Sequence, residues 1–546
     1  MISRYKHILK AEFQGYNSKR FTKDMMAGLT AAAVALPLAL AFGVSSGADA
    51  AAGLITAIIG GIVISMLSGA SYQISGPTGA MTAVLIPIVS KYSLNGVFIV
   101  SLMAGVILLL AGLLKLGRLV TVIPRPVITG FTSGIAVIIA LGQIDNFFGT
   151  ASAGESVIDK LISYGELGFH VAWQPVLIGA IVIATMLLWP KRLNAIVPAS
   201  LVGIIAATLI STIFKLPVDT IGAIPTTLLP EVRLDITMVQ PVDLPVLISP
   251  AISIAALGMV ESLLCGTSAL RMKPGGTFDA DQELIAQGVG NMIVPFFGGI
   301  PATAAIARTS VAIKSGSETR LTGIIHALML LASMFLLSGV MASIPYAALA
   351  GVLIMTAWRM NEWPAIKNMF SKRNWGAILK FGITLVATVT FDLTIAIIIG
   401  VVFSAFVFVV ISSKLEVTSS KVKNELLHNC LQDVEPVHAG TTVIYLTGPL
   451  FFGSAEKLFD QVRVDIESSK RLIFSMRGVS AIDSTGAEVM LDVVNECVSA
   501  GVCVNICGLR QDVKRRLDIA GVTELIGEGA YYFSVDRALT ANLETC

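Results

Sequence analysis

The chain has 546 residues, of which 55% are hydrophobic and only 14% charged, with a mean hydropathy of +0.81. Soluble domains carry roughly a quarter charged residues, so the composition excludes a soluble protein and points to a polytopic membrane protein. The formal net charge of +2 by itself says little about partners; a nucleic-acid binder would need a concentrated basic face, and no nucleic-acid partner is expected.

Residues 1–24 are mostly polar and read as a cytoplasmic N-terminal segment. No small-residue cleavage site follows a short apolar core, so a cleavable signal peptide is not expected. From 25 to 413, apolar runs recur at lengths that cross or partly cross a bilayer. Their starts fall near residues 25, 52, 77, 95, 124, 175, 195, 248, 282, 301, 322, 346, 375 and 393, which predicts an α-helical membrane domain of 14 spans. With the N-terminus inside, the inner connections collect cations such as Lys19, Arg20, Lys23, Arg118, Arg125, Lys191, Arg192, Lys314, Arg320 and Arg373. The outer ones hold only Lys91, Lys160, Lys215 and Arg233. This asymmetry satisfies the positive-inside rule and predicts both termini in the cytoplasm, as for a bacterial inner-membrane protein.

After Ser413 the composition becomes that of ordinary soluble protein. Residues 414–435, holding EVTSSKVKNE, read as a linker and 436–546 as a small cytoplasmic domain. Strand-like TVIYL, RLIFSM and VCVNICG alternate there with helix-like AEKLFDQVRVDIE, AEVMLDVVNECV and DVKRRLDIA, which predicts an α/β layer fold.

Within the apolar region, SGPTGAMT at 75–82 resembles GGIPATAA at 298–305, and Pro77 and Pro301 lie 224 positions apart. VIPRPV at 122–127 and SIPYAA at 343–348 recur at nearly the same offset, 221 between Pro124 and Pro345. Seven spans per half would set the halves in opposite orientations, as a 7+7 inverted repeat. Gly/Pro-interrupted segments at matching positions of inverted halves point to the central site of a transporter. A helix that begins inside the membrane exposes its first N–H groups there, with roughly half a positive charge. Two such ends facing each other make an anion site, and Arg308 adds a whole charge. Placed ~10 Å along its half-helix at 1.5 Å per residue, Arg308 would act mainly through its field. Gly-Pro breaks also occur as kinks that bind nothing, and Thr78 and Thr303 could instead bond back to a carbonyl one turn earlier.

These stretches resemble the SulP sulfate permeases, a family of bacterial anion transporters and prestin-type exchangers. The resemblance covers nearly the whole chain. It is carried by DMMAGLTAAAVALPLALAFG at 24–43, YQISGPTGAMT at 72–82, GMVESLL at 258–264, QELIAQGVGNMIVPFFGGIPATAAIARTSV at 282–311 and DSTGAEVML at 483–491. It implies a core domain moving against a gate domain, a homodimer, and an anion held between the third and tenth spans. Thr78, Ala302, Thr303 and Arg308 then match the family's substrate positions, with their neighbours Gly79 and Ala304. Ala304 stands where a Gly is common and Ala312 where an Asn is common, so the substrate transfers less safely than the fold.

Glu261 lies 224 positions after Pro37 and so occupies the eighth span, opposite the first. An ionisable residue at that depth is costly and marks a candidate functional group. In family members an acidic residue here goes with the coupling ion, an Asp with Na+ and often a Glu with H+; the bland alternative is a salt bridge to a core Arg. His326 reads as a hydrogen-bonded core residue, and Cys265 as a small residue either lining the site or simply buried. Of six Cys, Cys430, Cys497, Cys503, Cys507 and Cys546 fall in the tail, where disulfides are rare. No spacing resembles a metal site, and no metal or cofactor is expected.

Asp483-Ser484-Thr485-Gly486 resembles the loop of the STAS module shared by SulP transporters and anti-sigma-factor antagonists, whose Ser or Thr can be phosphorylated. Ser484 or Thr485 is otherwise expected to cap the following helix. A regulatory protein or ligand on this module is the implied partner besides anion, coupling ion and lipid. No phosphate loop or nucleophile elbow appears, so no enzyme is expected. The sequence predicts secondary active transport of a small anion of the sulfate, bicarbonate or dicarboxylate class by alternating access, coupled to H+ through Glu261. A Na+-coupled bicarbonate transporter, an exchanger and an anion channel are the alternatives within the family. A nucleobase permease would share the fold without the STAS-like tail or the Arg308 motif, and a membrane-tethered signalling scaffold would show no uptake.

Overall fold

The computed structural model describes residues 2–118, 124–154, 157–190, 197–224, 226–235, 244–391, 393–412, 415–422 and 440–541. The chain divides into two compact units, Met1–Val402 and Phe403–Cys546, and the apolar helix Leu393–Ser412 runs through the boundary.

In the first unit, five helices among the described residues are long and apolar enough to cross a membrane: Ser18–Ser45, Ala50–Leu67, Gly79–Leu113, Arg125–Phe148 and Pro245–Met272. Shorter apolar helices lie at Trp173–Leu188, Ala199–Ile213, Leu321–Leu336, Tyr346–Met360 and Trp375–Thr390, and a further one, Ile398–Val410, spans the boundary between the units. The first starts at Ser18, earlier than hydropathy predicts, because Asn17 caps it by accepting the Arg20 N–H, and a cap sets a helix start independently of apolar content. Gly79–Leu113 is two helices meeting at Ser93, whose φ of 59° and ψ of −174° are not helical. This break separates the predicted segments starting near 77 and 95.

The second proline pair has a common geometry. Pro124 and Pro345 are the N-cap residues of Arg125–Leu141 and Tyr346–Met360, with φ/ψ of −68°/142° and −69°/141°. Residues 122 and 123 of the first motif lie outside the described residues.

The membrane helices pack through small residues, which let backbones approach where lipid offers no hydrophobic drive. A Cβ added to Gly105 would lie 2.7 Å from the Gly288 carbonyl oxygen, and one on Gly288 would lie 2.6 Å from the Leu109 nitrogen. Gly79–Leu113 and Ala280–Ile293 therefore touch backbone to backbone. The N-terminal segment is fixed by two buried carboxylates. Glu12 pairs with Arg320 at 2.7 Å, while Asp24 accepts the N–H groups of Glu318 and Thr319 at 2.6 and 3.0 Å. Together they satisfy the amides that precede Leu321–Leu336.

The second unit holds a five-stranded sheet. Glu416–Lys421 pairs antiparallel with Thr441–Thr447, and Arg471–Gly478, Cys503–Cys507 and Tyr531–Tyr532 add in parallel. Helices Phe452–Ser468, Ser484–Ser499 and Gln511–Ala520 match the three read from sequence. Glu416–Lys421 corrects the reading of 414–435 as a linker: it is an edge strand almost wholly exposed, so no alternation of apolar residues marks it. Residues 423–439, with Cys430, lie outside the described residues, as does Cys546. Cys503 is disulfide-bonded, against the expectation of reduced thiols in this unit.

Gly288→Val is expected to force the Gly105 and Gly288 backbones apart at a cost of about 1–3 kcal/mol. A thermal unfolding scan in detergent should show the midpoint fall, and an unchanged midpoint would contradict the close packing.

Candidate functional site

Ser75–Gly76 and Thr303–Ala304 lie just before two helices that start inside the membrane unit. They pair antiparallel, Ser75 opposite Ala304 and Gly76 opposite Thr303. A Cβ on Gly76 would sit 2.4 Å from the Arg308 Nη1 atom, so any larger residue there would displace the Arg308 guanidinium.

At the first break, Thr78 takes the N-cap position of Gly79–Leu113 and its hydroxyl accepts the Met81 N–H at 3.4 Å. The same hydroxyl donates to Glu261 Oε2 at 2.9 Å. Thr78 thus caps forward and does not bond back to a carbonyl. The N–H groups of Gly79 and Ala80 have no partner among the described residues, as expected for the first turn of a helix. Gly79 packs tightly: an added Cβ would lie 2.3 Å from Ile139 and 3.1 Å from Phe42. Phe42 and Ile139 also line a cavity of about 280 Å3, with Thr82, Gln143 and Lys160. Thr82 is one turn beyond Thr78 and donates to its carbonyl at 3.1 Å.

At the second break the helix begins at Ile306, later than predicted, because 303–304 are spent on strand pairing. Ala302 differs from its expected role. Its N–H donates to Asn291 Oδ1 at 2.7 Å and its carbonyl accepts from Asn291 Nδ2 at 2.9 Å, so its backbone has no donor left for an anion. The buried Thr303 hydroxyl shares a 2.9 Å hydrogen bond with Ser262, whose oxygen also accepts the Ala304 N–H at 3.3 Å. Ala305 donates to the Ile74 carbonyl at 3.0 Å. The N–H groups of Ile306, Ala307 and Arg308 have no partner among the described residues.

Arg308, expected to act mainly through its field, is 1% exposed and also makes a direct bond to the opposite break. Being the third residue of a helix that starts at Ile306, it reaches across, and Nη2 donates to the Pro77 carbonyl. Nη1 has no hydrogen-bond partner. Glu261 is partly exposed and forms no ion pair with an Arg among the described residues. The two charges instead converge on one dipeptide, Glu261 on the Thr78 hydroxyl and Arg308 on the Pro77 carbonyl.

Sequence reasoning missed Ser262 and Asn291, and with them Gln287. The available signal was polar residues four apart, at 283, 287 and 291, within an apolar stretch. His326 is buried but neither ring nitrogen has a hydrogen-bond partner, unlike the hydrogen-bonded core residue expected. Cys265 is buried and donates to the Thr309 hydroxyl at 3.3 Å. In the tail, Asp483 rather than Ser484 or Thr485 caps the Ser484–Ser499 helix, accepting the Gly486 N–H at 2.7 Å. Ser484 and Thr485 are exposed. A Cβ on Gly486 would lie 2.2 Å from the Leu450 carbonyl oxygen, which explains the glycine after them.

Residues 21–383 match the sulfate permease family and residues 434–538 the STAS domain. YvdB of Bacillus subtilis (strain 168), named as a candidate sulfate transporter, is 33% identical over 95% of this chain and 97% of its own length. The bicarbonate transporter BicA of Picosynechococcus sp. (strain ATCC 27264 / PCC 7002 / PR-6) is 30% identical over 91% of this chain and 90% of its own length. In fold, the chain is similar to the murine anion transporter Slc26a9 in its inward-facing state, with a TM-score of 0.82, 18% identity, and coverage of 99% of this chain and 94% of that one. The chain belongs to the sulfate permease family of membrane anion transporters, carries a STAS domain, and is a transporter rather than an enzyme.

Proposed function

We propose that this chain is a secondary active transporter of a small anion of the sulfate, bicarbonate or dicarboxylate class. It works by alternating access as a homodimer of 14-span protomers with both termini in the cytoplasm, and couples transport to protons through Glu261. The observation that carries the reading is the convergence of Glu261 and Arg308 on Pro77-Thr78, beside the unpartnered N–H groups of Gly79, Ala80, Ile306 and Ala307. Inward-directed donors with a fixed cation suit an anion. Thr78 and Gly79, with Thr303, Ala304 and Arg308, are proposed to line it, while Ala302 supports it through Asn291. Relatives named for sulfate and for bicarbonate make both anions the first to test, in a radiotracer competition panel in proteoliposomes. Uptake of none of the three classes would overturn the reading. Ser484 and Thr485, exposed beside the Asp483 cap, are proposed as a regulatory phosphorylation site.

Coupling follows from electrostatics. An ionised Glu261 repels an anion bound near Thr78, and a protonated one does not, so proton and anion bind better together, each strengthening the other by the same factor. Uptake should therefore rise as external pH falls. A sodium reading is favoured by one feature, the Glu261 carboxylate beside the Thr78 hydroxyl, which together offer hard oxygen ligands. Liposomes with independent pH and sodium gradients separate the two. Glu261→Gln is expected to bind anion still but lose accumulation driven by an inward proton gradient. Abolished sodium-stimulated binding in that variant would assign the carboxylate to sodium instead.

Arg308→Ala is expected to weaken anion affinity roughly ten- to a hundredfold, the size of one lost charge-assisted contact of about 1.5–3 kcal/mol. Arg308→Lys keeps the charge without the planar fork and should lose less. Equilibrium binding to purified protein measures this, and an unchanged affinity in the Ala variant would leave Arg308 a structural residue only.

A further inference from the structure

Glu283, Gln287 and Asn291 are spaced four apart on Ala280–Ile293, which puts them on one face of the helix. All three are fully buried. Burying three polar side chains in an apolar interior is costly unless each is bonded, and each is bonded to a loop or break. Glu283 Oε2 accepts from the Ser68 hydroxyl at 2.5 Å and the Gly69 N–H at 3.1 Å. Gln287 Nε2 donates to the Ser75 hydroxyl at 2.9 Å and to Glu283 Oε1 at 2.8 Å. Asn291 takes both polar backbone groups of Ala302, and its Nδ2 also donates to the Gln287 carbonyl at 2.9 Å.

The strand pair at the breaks is two residues long on each side. So short a ladder holds its register weakly, and a slip of one residue turns every side chain to the opposite face. Thr303 and Ala304 would then exchange places relative to Ser75 and Gly76. Gln287 grips the first strand at Ser75, and Asn291 grips the residue just before the second. One rigid helix thus holds both sides of the pair, at positions one turn apart.

We propose that the Glu283, Gln287 and Asn291 face is a positioning ladder that sets the register of the two breaks against each other. It thereby sets the aim of the N–H groups that follow them. None of the three touches the anion; they act through Ser68, Ser75 and Ala302. The consequence for affinity rests on the anion site proposed above, whereas the register claim stands without it.

The test uses the full chain and two readouts. The first is amide hydrogen exchange at the bonded amides of residues 302–305 without any anion. Asn291→Ala should speed it by about tenfold or more, a local opening made easier by about 1.4 kcal/mol. Ser75→Ala, a smaller change made from the opposite partner, should speed exchange at Gly76 and Thr303. The second is sulfate and bicarbonate affinity, which Asn291→Ala should weaken by about tenfold, as misplacement of a binding group does. Asn291→Ala should cost little more on top of Arg308→Ala, because residues acting on one site do not add. A merely stabilising role would give additive losses, and that outcome would overturn the proposal. So would unchanged exchange in folded Asn291→Ala protein. If Asn291→Ala does not fold, Ser75→Ala decides, and unchanged exchange at Thr303 overturns the ladder. If wild type binds neither anion but exchange still rises in the variants, the anion reading fails and the ladder stands.

Discussion

A backbone that starts a helix in the middle of a bilayer exposes N–H groups where no lipid can accept them. Every such group must find a partner or be kept for a ligand, and this chain partners several of them within the fold. Met81 is capped by Thr78, Ala302 by Asn291, Ala304 by Ser262 and Ala305 by the Ile74 carbonyl. The remaining amides, on Gly79 and Ala80 and on Ile306 to Arg308, follow the paired strands Ser75–Gly76 and Thr303–Ala304. The strand pairing ties one break to the other, and Gln287 and Asn291 bond to the two sides of that short pair.

The charges follow the same constraint. Arg308 is costly in an apolar interior, and its fork reaches the carbonyl of Pro77 in the opposite break. That carbonyl precedes the cap residue whose hydroxyl meets Glu261. A charge change at either residue is therefore felt at one peptide. Away from the site, charge is used for anchoring. Arg320 bonds Glu12 and the Ser68 carbonyl, joining the N-terminal segment to the loop that Glu283 also holds.

Much of this was legible in the sequence, for physical reasons. Hydropathy reports the medium around a helix, and the Gly-Pro breaks at 77 and 301 report where helices cannot continue. The tail's periodic strands and helices were legible likewise. What escaped reading was cross-chain bonding. Nothing local to Ala302 says that Asn291 will take its backbone, and the start at Ile306 follows from pairing with Ser75–Gly76, which no window around residue 301 contains. Asp483 outcompeted Ser484 and Thr485 as a cap because the helix begins at Ser484, one residue earlier than a Ser484 cap requires. The edge strand Glu416–Lys421 was invisible because its exposed, polar residues carry no alternation.

The central claim is that an anion sits between the two breaks, against Thr78 and the free amides of Gly79 and Ile306, with Arg308 behind them. Locating a bound anion directly is the most stringent test, and selenate, an anomalous scatterer shaped like sulfate, allows it in crystals of the purified protein. The expected result is one selenium peak within hydrogen-bond reach of the Thr78 hydroxyl and the amides that open both half-helices, absent in Arg308→Ala. A selenium peak elsewhere in the membrane unit, with the two breaks empty at saturating selenate, would contradict it.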